Sequence, residues 1–265
     1  MYGQVVAVER LTPSMVRITL GGEGLAGFAP VDATDAYVNV AIPPDGAAYT
    51  APFAIETVTQ LPNEQRPHRR RYTVRRWNAA RRELQLDVVV HGDVGVGGRW
   101  AAAAQVGDAL VFQGPSGKYR PDPSADWHLF AGDESALPAI AASLEVLPAG
   151  VPAVARIVVD GPDHELELRT AADLDLVWLY RGGTDLDPQL LQHAVRSLQA
   201  PVGRVHAFVH GEAGEIREVR RHLLAERGVP KADLSCSPYW RRTYTDEAWR
   251  EVKRDWVAEV ERDVA

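Results

Sequence analysis

Residues 70–76, RRYTVRR, bring a guanidinium, an aromatic ring and a hydroxyl together at Arg70, Tyr72 and Thr73. A guanidinium pairs with phosphate through two parallel hydrogen bonds. A tyrosine ring covers a planar group, and a threonine hydroxyl bonds to a ring nitrogen. In a strand, alternate side chains share a face, so Arg70 and Tyr72 point one way and Thr73 the other, or towards a bend. The set suits a flat, anionic ligand. A solvated edge strand with its arginines in water would use the same residues, and composition alone favours that plainer reading.

Two further stretches carry chemistry. HGDVGVGGRW (91–100) has glycines at 92, 95, 97 and 98, which permit positive φ and close approach of the main chain to a ligand. A helix beginning near Gly98 and Arg99 would turn its free N–H groups towards a pyrophosphate; an ordinary glycine-rich hairpin fits equally. AGDESALPAI (131–140) follows an expected strand and opens an expected helix, the position where open α/β sheets bind ligands. Asp133 and Glu134 would repel a phosphate, so contact with a ribose or nicotinamide is the expectation, with Ser135 as a donor. Simple N-capping by Asp133 is the alternative.

The elements that position these residues change character near Pro121 and Pro123. Before them, short valine- and isoleucine-rich runs at 4–8, 15–20, 37–42, 71–77, 84–90 and 109–113 read as strands. MVRITL alternates as a half-buried strand does. A turn of helix near 52–58 and a short helix over 98–104 are the only helical signals. Six antiparallel strands with Gly/Pro turns predict a small barrel. Afterwards strands at 127–131, 154–159, 176–180 and 205–209 alternate with helices at 135–147, 188–198 and 212–227. That alternation predicts a parallel sheet covered by helices. A last helix, capped by Thr245, sets Trp249, Val252, Trp256 and Val260 on one stripe. Domains of 1–122 and 123–265 follow: an antiparallel β-barrel, then an α/β unit with a C-terminal helix.

Composition excludes other classes. The chain is 46% hydrophobic and 25% charged, as ordinary globular proteins are, and its formal charge is −7, which repels nucleic acid overall. Cys236 is the only cysteine, so no internal disulfide forms; it reads as a buried or half-buried thiol without an activating base. His206 and His210 are four residues apart on an expected strand, not on a helix, so no metal site is expected. Tryptophans 249 and 256 read as core. The start lacks a signal-peptide layout and no stretch has the roughly 20 apolar residues of a membrane helix, so a cytoplasmic protein, expected to be a monomer, is the default.

The segments RRYTVR, DVVVHGDVGVGGRW, GPSGKYRPDP, WHLFAGDESALPAI and YWRR, in this order, resemble the siderophore-interacting protein family. Its members are FAD-containing ferric-siderophore reductases related to the ferredoxin–NADP reductases. The likeness runs over nearly the whole chain, and what it implies follows residue by residue. The flavin-holding pattern R-x-Y-[ST] falls on Arg70, Tyr72 and Thr73, with Arg71 at the free position offering at most a main-chain contact. The D-x-x-x-H-G segment falls on Asp87, Val88, Val89, Val90, His91 and Gly92. The later glycine turn falls on Gly95, Gly97, Gly98, Arg99 and Trp100. Tyr239 and Trp240 lie against the flavin. Gly132, Asp133, Glu134, Ser135 and Ala136, with Gly211 and Glu212, form the NAD(P)H site. Lys118, Arg241 and Arg242 meet the anionic ferric siderophore. The chain departs from the family at Val96, where proline is common, at Asn39, where lysine is frequent, and at Ser116. The implied activity is FAD-mediated transfer of electrons from NAD(P)H to Fe(III), with no catalytic side chain. A flavin or quinone reductase, a ferredoxin-dependent reductase and a non-enzymatic siderophore carrier remain alternatives.

Overall fold

The computed structural model describes residues 1–90, 95–182 and 189–263. The chain divides into two compact units, Met1–Arg120 and Pro121–Ala265.

The first unit is a closed antiparallel barrel. Its strands are β1 (Tyr2–Thr12), β2 (Met15–Gly21), β3 (Tyr37–Ile42), β4 (His68–Asn78), β5 (Glu83–Val89) and β6 (Ala109–Ser116), in the order β1-β2-β5-β4-β3-β6. Two helices accompany them, α1 (Ile55–Val58) and α2 (Val96–Ala103). Ile18, Leu20, Val38, Val40, Leu84, Leu86, Val88 and Phe112 fill the barrel, and Val96, Trp100 and Ala101 of α2 pack on that core. Closure leaves no free strand edge. Strand β2 is more buried than alternation predicts, because Met15 and Thr19 on its second face are also covered.

The second unit is a five-stranded parallel sheet in the order β11-β10-β7-β8-β9. Its strands are β7 (Trp127–Asp133), β8 (Pro152–Val159), β9 (Asp173–Tyr180), β10 (Val205–Glu212) and β11 (Leu234–Trp240). The helices are α3 (Leu137–Leu144), α4 (Leu190–Arg196), α5 (Ala213–Arg221), which widens into a π-helical turn over 222–226, and α6 (Asp246–Arg262). Strand β7 is buried along its whole length, as a central parallel strand is.

In the α/β unit β11, α5 and α6 differ from the sequence reading in ways that bear on the site. Strand β11 was not expected, because serines and Pro238 break its apolar run. As an edge strand pairing only with β10 it tolerates the missing N–H of proline. Helix α5 begins after Glu212, which caps it by accepting from Glu215 N at 3.0 Å. On α6, Trp249, Trp256 and Val260 are buried against Ala213, whereas Val252 sits at the exposed margin of the stripe. Thr245 caps that helix, accepting from Ala248 N.

Candidate functional site

In the barrel, the β3–β4 register sets Arg70 opposite Val40 and Tyr72 opposite Val38. Directly opposed residues share a face, so Arg70 and Tyr72 lie on the face that Val38 and Val40 turn into the core. Both reach α2 at one residue. A Cβ built on Gly97 would stand 1.9 Å from Tyr72 Oη and 3.3 Å from Arg70 Cγ. Only glycine admits that approach. The helix begins at Val96, two residues earlier than expected, with Gly95 at φ 82° as N-cap and, among the described residues, no side chain capping it. Its first-turn N–H groups therefore have no intrahelical acceptor.

The outward residues of β4 are engaged elsewhere. Arg71 lies over the Tyr37 ring, 5.6 Å from its centroid, and Arg69 Nη2 donates to Gln113 Oε1 at 2.5 Å. Thr73 is buried. Asn39, in register between Arg71 and Gln113, has a buried Oδ1 without a hydrogen-bond partner.

Val88 on β5 and Val90 just past its end turn into the barrel core. Asp87, buried, accepts from Arg17 Nε at 2.7 Å and Arg17 Nη2 at 2.8 Å, and Arg75 Nε lies 3.8 Å away. Its carboxylate is thus bound within the barrel wall, by arginines that sequence reasoning did not single out. His91 and Gly92 lie outside the described residues. Arg99 is half-exposed, with Nη2 3.6 Å from Asp45. Lys118 is exposed, its main-chain N donating to Asp35 Oδ1.

In the α/β unit, the chain runs from β7 to β8 and β9 on one side, then crosses to β10 and β11 on the other. The reversal between β7 and β10 is the topological switch point, where such sheets bind ligands at the carboxyl ends of their strands. Gly132 ends β7 there; a Cβ on it would lie 2.2 Å from His210 O. Gly211, at φ 146°, is also closely approached, a Cβ on it standing 2.7 Å from Asp133 Oδ2. The two glycines keep the floor of the switch point low.

Asp133, 3% exposed, ties this end of the sheet together. Oδ1 accepts from Ser135 N at 2.8 Å and Ser135 Oγ at 2.5 Å. Oδ2 accepts from Glu212 N and Trp240 Nε1, each at 2.8 Å. These four bonds match the carboxylate's acceptor capacity. Asp133 makes an Asx turn ahead of α3 and does not cap it, for the N-cap position is Ala136. Glu134 is 2% exposed and gripped by Arg181 through Nη1–Oε1 at 2.9 Å and Nη2–Oε2 at 2.6 Å. Burial raises its carboxyl above the usual range despite that pair.

Beyond β10, Glu212 Oε1 accepts from Arg242 N at 3.2 Å, and the Arg242 guanidinium pairs with buried Glu215. Arg241 instead stacks, 4.7 Å from the Tyr244 ring centroid and 5.7 Å from that of Trp249. Gln189, Gln192, Arg217, Arg221, Arg241 and Arg242 are among the residues lining a polar groove of about 940 Å³ here. Tyr239 packs against His210, itself stacked on Phe208 with Nε2 3.0 Å from Ser235 Oγ. His206 Nδ1 accepts from Asp122 N. Cys236 packs beside this core, and burial pushes its thiol up to about 12.

The structure thus brings Arg70, Tyr72 and Gly97 together, and separately joins Gly132–Ala136 with Gly211, Glu212 and Trp240. It also brings together Asp160 and Arg181, which follow β8 and β9 and which the sequence reading passed over. Their signal was position: the first charged residues after neighbouring strands of an open α/β sheet.

Comparison with known proteins agrees with this architecture. Residues 4–119 match the model of the siderophore-interacting FAD-binding domain, and residues 125–243 that of the siderophore-interacting protein. The ferric vibriobactin reductase ViuB of Vibrio cholerae is 34% identical over 253 residues, covering 94% of this chain and 92% of that one. The NADPH-dependent ferric-chelate reductase of Escherichia coli is 30% identical over 239 residues, 89% of this chain and 91% of that one. The crystal structure of a siderophore utilization protein from T. fusca superposes with a TM-score of 0.80 at 36% identity, covering 93% of this chain and 94% of that one. The chain belongs to the siderophore-interacting protein family, and its barrel is an FAD-binding domain of that family.

Proposed function

We propose that the protein is a ferric-siderophore reductase that draws electrons from a nicotinamide nucleotide through FAD. The observation that carries the proposal is the convergence of Arg70 and Tyr72 on Gly97, in the first turn of α2. These residues fit the cofactor. Arg70 and the first-turn N–H groups of α2 would hold its pyrophosphate and Tyr72 would cover its planar part, whereas Thr73, buried on the opposite face of β4, would offer its main chain. Val88 and Val90, whose side chains belong to the core, contribute main-chain groups only.

Bound FAD supplies the redox chemistry, accepting a two-electron hydride and delivering single electrons to Fe(III). The protein's own residues bind and orient. Gly132 and Gly211 let β7, β10 and the Asp133 side chain close on one another at the switch point, where the nicotinamide end of the donor is expected, and Asp133 holds Trp240 and the start of α5 in place. Lys118 in the barrel unit and Arg241 in the α/β unit each carry positive charge that favours an anionic ferric complex; Arg242, paired with Glu215, positions the segment that carries Arg241. Fe(II) is released because hard oxygen donors hold it less firmly than Fe(III).

The purified protein is expected to carry flavin, with absorption near about 450 nm. Under anaerobic conditions that band bleaches on mixing with NADH or NADPH and returns on adding a ferric siderophore. Flavin bleached only by reduced ferredoxin overturns the nicotinamide donor, and a colourless protein that binds ferric siderophores makes it a carrier.

A further inference from the structure

We infer that the nucleotide is NADH in preference to NADPH, and that Asp160, with the Glu134–Arg181 pair beside it, makes the distinction. The inference rests on the nicotinamide reading above and concerns the half of the molecule far from the reacting ring.

Strands β7, β8 and β9 lie side by side, and Glu134, Asp160 and Arg181 come at or just beyond their carboxyl ends. Asp160 follows the second strand of the unit, the position from which an acidic residue in doubly wound sheets accepts from a ribose 2′-hydroxyl. An arginine nearby is what lets such a site take a 2′-phosphate instead. Arg181 is at hand, but it is spent. Nη1 and Nη2 bind both oxygens of Glu134, and Nη1 also lies 2.8 Å from Asp160 Oδ1. The guanidinium is 9% exposed. Its main chain is fixed too, with Arg181 N on Val159 O and Gly182 N on Asp160 O.

Taking a 2′-phosphate would require Arg181 to leave a buried carboxylate unpaired, which is the costly way to break such a pair. The incoming group, with close to two negative charges at neutral pH, would also meet Glu134, Asp160 and Asp163, the last 3.8 Å from His164 Nε2. A 2′-hydroxyl meets no such barrier. The Asp160 side chain is 33% exposed, and among the described residues its Oδ2 takes no donor, which leaves it to accept a hydrogen bond from the hydroxyl. Glu134, Asp160 and His164 have ligand atoms within 4.8 Å of one another, a spacing that suits a metal ion, but Arg181 already supplies the cation between the two carboxylates.

The test compares nucleotides on the wild-type holoprotein and on Asp160→Ser and Asp160→Asn. Flavin reduction is followed anaerobically, and ADP-ribose and 2′-phospho-ADP-ribose are titrated by calorimetry as unreactive probes. The wild type is expected to favour NADH, and ADP-ribose, by at least about tenfold, the scale of one charge-assisted hydrogen bond. Asp160→Ser reduces that ratio at least about tenfold, while re-oxidation of chemically reduced flavin by ferric siderophore stays unchanged. Asp160→Asn keeps the shape and an acceptor for Arg181, so loss of discrimination in it is not loss of fold. Preference for NADPH, as the name of the E. coli relative states for that protein, or an unaltered ratio in both variants overturns this inference alone. Indifference to both nucleotides, with ferredoxin reducing the flavin, removes the nicotinamide reading and this inference together.

Discussion

Tyr72 rests its hydroxyl on the main chain of Gly97, where a Cβ would stand 1.9 Å from the oxygen. The contact joins a strand to the first turn of a helix and fixes the plane of a ring argued to lie along the flavin. Gly97→Ala therefore opposes two effects. Alanine favours a helix over glycine by about 1 kcal/mol, but the new methyl displaces Tyr72, an overpacking cost of about 1–3 kcal/mol. FAD affinity is expected to fall about tenfold or more, read as the flavin-to-protein ratio after dialysis. Tyr72→Phe removes the clashing oxygen, so Gly97→Ala combined with it should bind FAD no worse than Tyr72→Phe alone. A double variant as depleted as Gly97→Ala would show that the contact is not what matters.

Asp87 separates a structural role from a ligand role. Its carboxylate is buried and held by Arg17, with Arg75 beyond. Asp87→Ala removes the buried carboxylate that Arg17 grips, and unfolding stability is expected to drop by about 3 kcal/mol, the lower end for a broken buried pair because Arg17 is partly solvated. Chemical denaturation of the apoprotein measures it. A fall in flavin content with no change in apoprotein stability would instead assign Asp87 to the cofactor.

The same pair marks where sequence stops being informative. The barrel strands were legible because valine and isoleucine recur with a period of two, and β3 was read to the residue. The shared face of Arg70 and Tyr72 followed from that period as well. Nothing local reveals that Asp87 meets Arg17, 70 positions earlier, or that Asp133 meets Glu212 and Trp240, 79 and 107 positions later. Those partners depend on the strand order. Strand β11 escaped for another reason: Pro238 reads as a breaker, and only its place at the sheet edge makes it harmless. Acidic side chains are the hardest to assign for this reason, since an Asp that binds a ligand and one that ties strands together look alike in sequence.

Asp133 is the clearest instance. With four donors on its two oxygens, it has no lone pair left for a ribose, so its contribution is to position Ser135, Glu212 and Trp240. Asp133→Asn replaces one oxygen with an amide NH₂ that faces protein donors on either side. The expected loss is about 3 kcal/mol, the scale of charge-assisted hydrogen bonds, accompanied by a shift in tryptophan emission as the Trp240 indole loses its acceptor. Unchanged stability with weakened nucleotide binding would return Asp133 to the ligand.

Glu215 makes the α/β unit sensitive to pH. The carboxyl is pushed up to about 7 from an ordinary 4.5, by burial first and by the Asp133 charge, against the pull of Arg242, with Glu212 raising it further and Arg181 lowering it. The folded chain therefore keeps a proton that the unfolded chain releases between pH 4.5 and 7. Stability from this group is complete below the lower value and lost as pH rises through the upper one, by roughly 3 kcal/mol in all. Glu215→Gln cannot titrate, so its unfolding free energy relative to wild type should rise across that window and level off above it. The comparison is made by urea denaturation at closely spaced pH values. A wild-type-minus-variant difference that stays flat from pH 4 to 8 would mean that Arg242 fully offsets burial, so that Glu215 binds its proton equally well in the folded and unfolded chains.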